Sequence, residues 1–268
     1  MVERAPDPLQ VIRSRIDRID EAMHRLLIDR SEVIAELIEI KGTAEPGAAF
    51  RPGREADMMR RLVQRHAGDL PLTTVEHIWR EIITSFTAMQ APFGIAAGPA
   101  EDALAMRDAI RFTFGFSVAV TSCPTAEAAI ARVAASGTDI AVLAAGAGGR
   151  WWDAVAGPKA PKVFAKLPFI ETPARPASLP AYVIGPPLRD AALPDIRLYA
   201  VSAAAGLEPA LLSRGGRIAD RDGDDRLVEL PMAATLDDIA GEIGAPLQDV
   251  RDLGGFAQPI HCVAARTA

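Results

Sequence analysis

The chain has 268 residues, 49% of them hydrophobic, which is enough for one large domain or two ordinary ones with a packed core. A net charge of −6 offers no basic field for phosphates and argues against nucleic-acid binding, and no apolar run reaches the length of a membrane span. Cys123 and Cys262 stand far apart and His24, His66, His77 and His261 are scattered, so neither a disulfide framework nor a metal site is expected, and a reducing cytoplasm fits best. The polar start, Met1–Pro8, lacks the apolar core of a secretion signal.

In chain order, the first element is a long helix over Leu9–Lys41. Leu9, Ile12, Ile16, Ile19, Met23 and Leu26 follow a 3-4-3-4-3 spacing, the seam of a coiled coil, and Gly42 stops it. At 1.5 Å per residue such a helix spans roughly 48 Å, too long for one small globule, which suggests that it crosses into a second chain. A loop follows, Gly42–Ala49. Pro52 suits a first helical turn, and a helix over Arg54–His66 turns Met58, Met59, Leu62 and Val63 inward until Gly68 and Pro71 end it. Thr73-Thr74-Val75-Glu76 reads as a capping box opening a third helix, with Val75, Ile78, Trp79, Ile82, Ile83, Phe86 and Met89 as its apolar stripe. The pattern changes near Ala91-Pro92. Short apolar runs at Phe93–Ala97, Ser117–Thr121 and Asp139–Leu143 alternate with helical patterns at Glu101–Phe114 and Thr125–Ala135, the rhythm of a parallel α/β sheet. After a proline-rich stretch, further strands are expected at Ala181–Ile184, Arg197–Val201, Leu227–Leu230 and Ile260–Ala264. The reading is therefore an all-helical domain over 1–91 and an α/β domain over 92–268.

Polar residues interrupt the apolar seams. One turn beyond Leu26 stands Arg30, and after Val33 and Leu37 comes Lys41, eleven residues on and about 20° from alignment with Arg30. Buried cations need anionic partners: either structural carboxylates such as Asp29 and Glu36, or a ligand. Lys41 is the first of four lysines, the others being Lys159, Lys162 and Lys166, in a chain that otherwise uses arginine. A compact ammonium delivers its charge to one atom, although a chance lysine fits too. Gln90 continues the stripe of the third helix, where it either needs inward partners or frays into solvent. Arg54-Glu55 opens the second helix as a functional pair or as an ordinary solvated first turn. Arg13 lies about 25 Å along the helix from Arg30, so the two cannot hold one small ligand from the same chain. If Arg13 is more than a surface residue, it serves a second protomer's site.

These residues, Ile12-Arg13 with Ile16-Asp17-Arg18-Ile19-Asp20, then Leu26-Leu27 with Arg30, Ile40-Lys41, Arg54-Glu55-Ala56 and the closing Gln90, resemble the all-helical chorismate mutases across about residues 9–91, in order and at the family's spacing. The resemblance implies an intertwined helical homodimer with two sites built from both chains. It assigns Arg30, Arg54 and the second protomer's Arg13 to the two substrate carboxylates, Glu55 to the substrate hydroxyl, and Lys41 and Gln90 to the ether oxygen of the breaking bond. It also implies chorismate as substrate and no cofactor. The chemistry explains the residue types. A Claisen rearrangement is unimolecular and needs no nucleophile or proton transfer. The enzyme must hold the compact diaxial conformer and stabilise negative charge growing on the ether oxygen. Two positions depart from the family pattern: Arg51 stands where an acidic residue is common, and Phe86 where a small hydroxyl residue is common.

Some family members continue into a prephenate dehydratase domain, and the rhythm from Phe93 resembles one, or a periplasmic-binding-like domain. The Thr-Arg-Phe signature of dehydration is absent, the nearest stretch being Glu171-Thr172-Pro173-Ala174-Arg175. The expectation is a domain that binds a ligand or buttresses the dimer without dehydrating, with Trp151-Trp152 either lining a pocket or simply packed. The alternatives are a bifunctional mutase and dehydratase, a non-catalytic ligand-binding regulatory protein, and removal of pyruvate from isochorismate on the same helical scaffold.

Overall fold

The structure, a computed structural model, describes residues 7–41, 49–146, 148–173, 175–188 and 193–262. The chain divides into two units, Met1–Ala44 and Glu45–Ala268. The first contains one helix, α1 (Pro8–Lys41), within a residue of its expected limits. Its seam stands in the open, with Leu9, Ile12, Ile16, Ile19, Met23, Leu26 and Val33 all more than half exposed.

The second unit joins two helices to an α/β sheet. It opens with α2 (Pro52–Arg65), which has proline in its first turn as expected, and α3 (Leu72–Gln90). Met59 and Leu62 are buried, while Met58 and Val63 are half-buried. The packing boundary thus falls ahead of α2, whereas the change of sequence pattern falls after α3. The capping box expected at Thr73–Glu76 is absent: α3 starts two residues earlier, with Pro71 at its N-cap and no side-chain cap. Glu76 is instead 1% exposed and serves a distant partner. The face of α3 that is buried carries Glu76, Arg80, Ile83, Thr84 and Thr87, while Ile78 and Met89 of the expected stripe are 45% and 53% exposed.

The sheet has nine strands in the order β2-β1-β3-β6-β4-β10-β7-β9-β8. Its parallel part is β1 (Ile95–Ala97), β2 (Val120–Ser122) and β3 (Ile140–Ala144), connected through α4 (Ala103–Phe114) and α5 (Ala126–Ser136), which matches the expected alternation. The helix starts are locally encoded: Asp102 accepts from the N–H groups of Leu104 and Ala105, and Thr125 from that of Ala128. The rest is mostly antiparallel: β4 (Lys162–Leu167), β6 (Ala181–Gly185), β7 (Ile196–Ser202), β8 (Arg217–Asp222), β9 (Asp225–Pro231) and β10 (Arg251–Phe256). A small second sheet pairs β5 (Ile170–Glu171) with β11 (Ile260–His261). Two more helices, α6 (Leu207–Ser213) and α7 (Leu236–Ile243), cover the β7–β9 end, where Val201, Leu211, Val228 and Ile239 form a core.

Trp151 and Trp152 prove to be packing residues: they sit in a short 3-10 turn, 1% and 0% exposed, against Tyr182 and the sheet core. Gly254 lets β10 approach β4, since a Cβ there would lie 2.2 Å from the Val163 carbonyl oxygen, at a φ of +110°. Across the sheet a buried polar knot is fully satisfied. Glu229 accepts from Tyr182 Oη at 2.6 Å, Lys166 Nζ at 2.7 Å and Arg217 Nε at 2.8 Å. Burial works against its charge, but these donors outweigh burial and hold the Glu229 carboxyl below the usual range. No described helix is long and apolar enough to cross a membrane.

Candidate active site

The six residues singled out in the sequence fall in both units. Arg13, Arg30 and Lys41 belong to α1, on which Arg13 is exposed and Arg30 half-buried. Lys41 closes the helix, and its side chain lies outside what the structure describes. In the second unit, Arg54 and Glu55 occupy the first turn of α2, with Arg54 exposed, and Gln90 closes α3. The structure brings Arg54 and Glu55 together as neighbours, but it joins neither to Gln90 by a hydrogen bond. Gln90 is half-buried and its Nε2 donates to the Phe86 carbonyl at 3.0 Å, so this amide is tied to its own helix and does not fray. Phe86, one of the two departures from the family pattern, is 8% exposed.

Glu55 is held from two sides. Its carboxylate stands 3.8 Å from Arg80 Nη1 of α3 and accepts from the backbone N–H of Arg51. Burial raises its carboxyl above the usual range, partly offset by the Arg80 cation and by the Arg51 hydrogen bond. It lines a cavity of about 50 Å³ together with Pro52, Arg80, Thr113, Lys166 and Phe169.

Sequence reasoning missed Arg80, Glu76 and Arg175. Arg175 is 2% exposed in its side chain and grips Glu76 with both guanidinium nitrogens, Nη1 at 2.5 Å and Nη2 at 3.2 Å. Its Nε also donates to the carbonyl of Ala177 at 2.8 Å and its Nη1 to that of Ile170 at 2.7 Å, and its guanidinium lies 4.4 Å from the Phe112 ring centre. The residue nearest to a dehydratase signature in the sequence thus commits four of its five N–H groups, two of them to holding α3 to the sheet domain. The available signal was the i, i+4 spacing of Glu76 and Arg80 on one face of α3, beside an apolar stripe.

A more open cavity, about 430 Å³, lies between the start of α2, β4 and β10. Its cations are already engaged: Arg60 with Asp57 and Asp195, Lys162 with the carbonyls of Val155 and Asp252, and Arg197 with the Asp252 carboxylate.

The family model that matches is chorismate mutase type II, over residues 12–91. A bifunctional chorismate mutase/prephenate dehydratase of Neisseria gonorrhoeae is 34% identical over 113 residues, 42% of this chain and 30% of that protein. The enzyme of the same name from Pseudomonas aeruginosa is 28% identical over 141 residues, 51% of this chain and 38% of its own. The chain thus spans about a third of the length of these curated relatives. Among solved structures, prephenate dehydratase from Streptococcus mutans aligns with 62% of this chain and 99% of its own at a TM-score of 0.37 and 13% identity. Prephenate dehydratase from Arthrobacter aurescens aligns with 65% and 93% at a TM-score of 0.39, again at 13% identity. All six residues singled out above lie within 12–91, and over that stretch the chain carries a chorismate mutase type II domain.

Proposed function

We propose that the chain is a chorismate mutase, an isomerase that converts chorismate to prephenate in the route to phenylalanine and tyrosine, within the cytoplasm. The single observation that carries this reading is the family match over residues 12–91, a stretch that holds Arg13, Arg30, Lys41, Arg54, Glu55 and Gln90 in the family's order. Arg30, Arg54 and a second copy's Arg13 fix the two carboxylates, which selects the compact conformer and removes rotational freedom before the bond breaks. Glu55 accepts the substrate hydroxyl. Lys41 and Gln90 donate to the ether oxygen, where preplaced donors gain strength as charge develops.

The site works as a homodimer. The exposed apolar seam of α1, from Leu9 to Val33, supports this, since burying about seven such side chains in a two-stranded contact is worth several kcal/mol or more. The α/β domain does not dehydrate prephenate. The curated relatives are bifunctional by name, but here Arg175 is committed to Glu76 and to two carbonyls. Incubating the full chain with chorismate and separating the products tests this reading. Prephenate is expected to accumulate without enzymatic phenylpyruvate. Unchanged chorismate would refute the mutase assignment, and phenylpyruvate formed at neutral pH would refute the inert second domain.

A further inference from the structure

Four charged side chains of alternating sign run from the first turn of α2 into the sheet domain. Glu55 stands 3.8 Å from Arg80 Nη1, Arg80 Nε stands 3.9 Å from Glu76 Oε1, and Glu76 is gripped at both oxygens by Arg175. The far end is rigid: Arg175 and Glu76 are 2% and 1% exposed in their side chains, and Arg175 is fastened to two carbonyls. The near end is loose. Arg80 is 11% exposed in its side chain, it lies at ion-pair distance from two carboxylates, and its Nε makes no hydrogen bond in the described structure. It therefore sits where two anions balance, and the share that Glu76 takes decides the share left for Glu55. Arg175 sets that division, because it satisfies Glu76 and so reduces the pull of Glu76 on Arg80.

We propose that Arg80 is a positioning residue that aims the Glu55 carboxylate, and that Arg175 and Glu76 fix Arg80, so that the α/β domain acts on the helical site through Arg175, Glu76, Arg80 and Glu55. The catalytic part rests on the mutase reading. The linkage itself rests on the distances alone. It gives the second domain a task that needs no ligand and no chemistry of its own: to keep a substrate-facing carboxylate in place.

The test reads Glu55 directly. Its carboxyl faces Arg80 of α3 and the Arg51 backbone N–H, and the small cavity that it lines is also lined by Lys166 of β4, whose ammonium is bonded to Glu229. The full chain carrying ¹³C-labelled glutamate is titrated by NMR, with Glu55→Gln identifying the resonance. Removing the Arg80 cation leaves burial opposed by the Arg51 bond, so Arg80→Met is expected to shift the Glu55 midpoint upward by about one pH unit. Arg80→Lys is expected to recover part of that shift. Arg175→Lys, which gives up the two-pronged grip, frees Glu76 to compete for Arg80 and is expected to move Glu55 in the same direction by less. In turnover of chorismate, the acidic limb of kcat/KM moves with the titration and is missing in Glu55→Gln, whereas damage to the fold alone lowers the melting temperature without moving the limb. An unmoved Glu55 midpoint in folded Arg80→Met overturns the linkage whatever the activity. A moved midpoint in Arg80→Met, together with a wild-type chain that leaves chorismate unchanged, supports the linkage and refutes the mutase reading.

Discussion

Lys41→Ala is expected to lower kcat for chorismate by about 10²–10³-fold while leaving secondary structure and assembly intact. The rearrangement has no proton transfer or covalent step to share the load, so most of the electrostatic stabilisation falls on the donors at the ether oxygen. An ammonium at that atom is worth more in the transition state than in the ground state, because the charge it meets appears only as the bond breaks. The loss should therefore appear in kcat more than in KM. Steady-state kinetics, with circular dichroism as a check on folding, decide the matter. A variant with wild-type turnover would remove Lys41 from the site. Lys41→Arg is expected to recover little, since a broad planar guanidinium does not replace a point donor.

The largest effect on stability is expected from Arg175→Met, which leaves Glu76 as a buried carboxylate without its two-pronged partner. Breaking one side of a buried pair costs about 3–5 kcal/mol, whereas replacing both sides by apolar groups is often close to neutral. The double variant Glu76→Leu/Arg175→Met should therefore be more stable than Arg175→Met alone. Recovery should stop short of wild type, because the carbonyls of Ala177 and Ile170 still lose their donors. Denaturant midpoints of the two single variants and the double give the coupling energy directly. Equal losses in Arg175→Met and in the double variant would show that the carbonyl contacts, not the ion pair, hold this corner.

Legibility in the sequence followed the range of the determining contacts. The limits of α1 could be read because a 3-4 apolar pattern without glycine or proline runs up to Gly42, and both signals are local. The three parallel strands with α4 and α5 were equally plain, as apolar runs separated by helices with Asp102 and Thr125 at their caps. The start of α3 was misread because Thr73 and Glu76 match a capping box in spacing. The partner of Glu76 is Arg175, 99 residues away, and no local pattern reveals it. Strands β4, β5, β8 and β10 were missed as well. β10 contains Gly254 and Gly255, poor strand formers on their own, which are required because side chains there would strike the Val163 and Ile196 carbonyls. Helix α7 did carry a readable signal, a capping box between Thr235 and Asp238. Of the candidate site, the residues on α1 and at the start of α2 stood out as charges on or beside apolar faces. Arg80 did not, since its importance lies in two carboxylates that only the fold assembles around it.

The most direct test of a mutase site shared between two chains is complementation. Arg13→Ala and Arg30→Ala chains are each expected to form inactive homodimers. Co-refolded in equal amounts, half of the dimers are mixed, and each mixed dimer has one site with both arginines intact, so about a quarter of wild-type turnover of chorismate to prephenate should return. A mixture no more active than the average of its two parents would contradict the shared site.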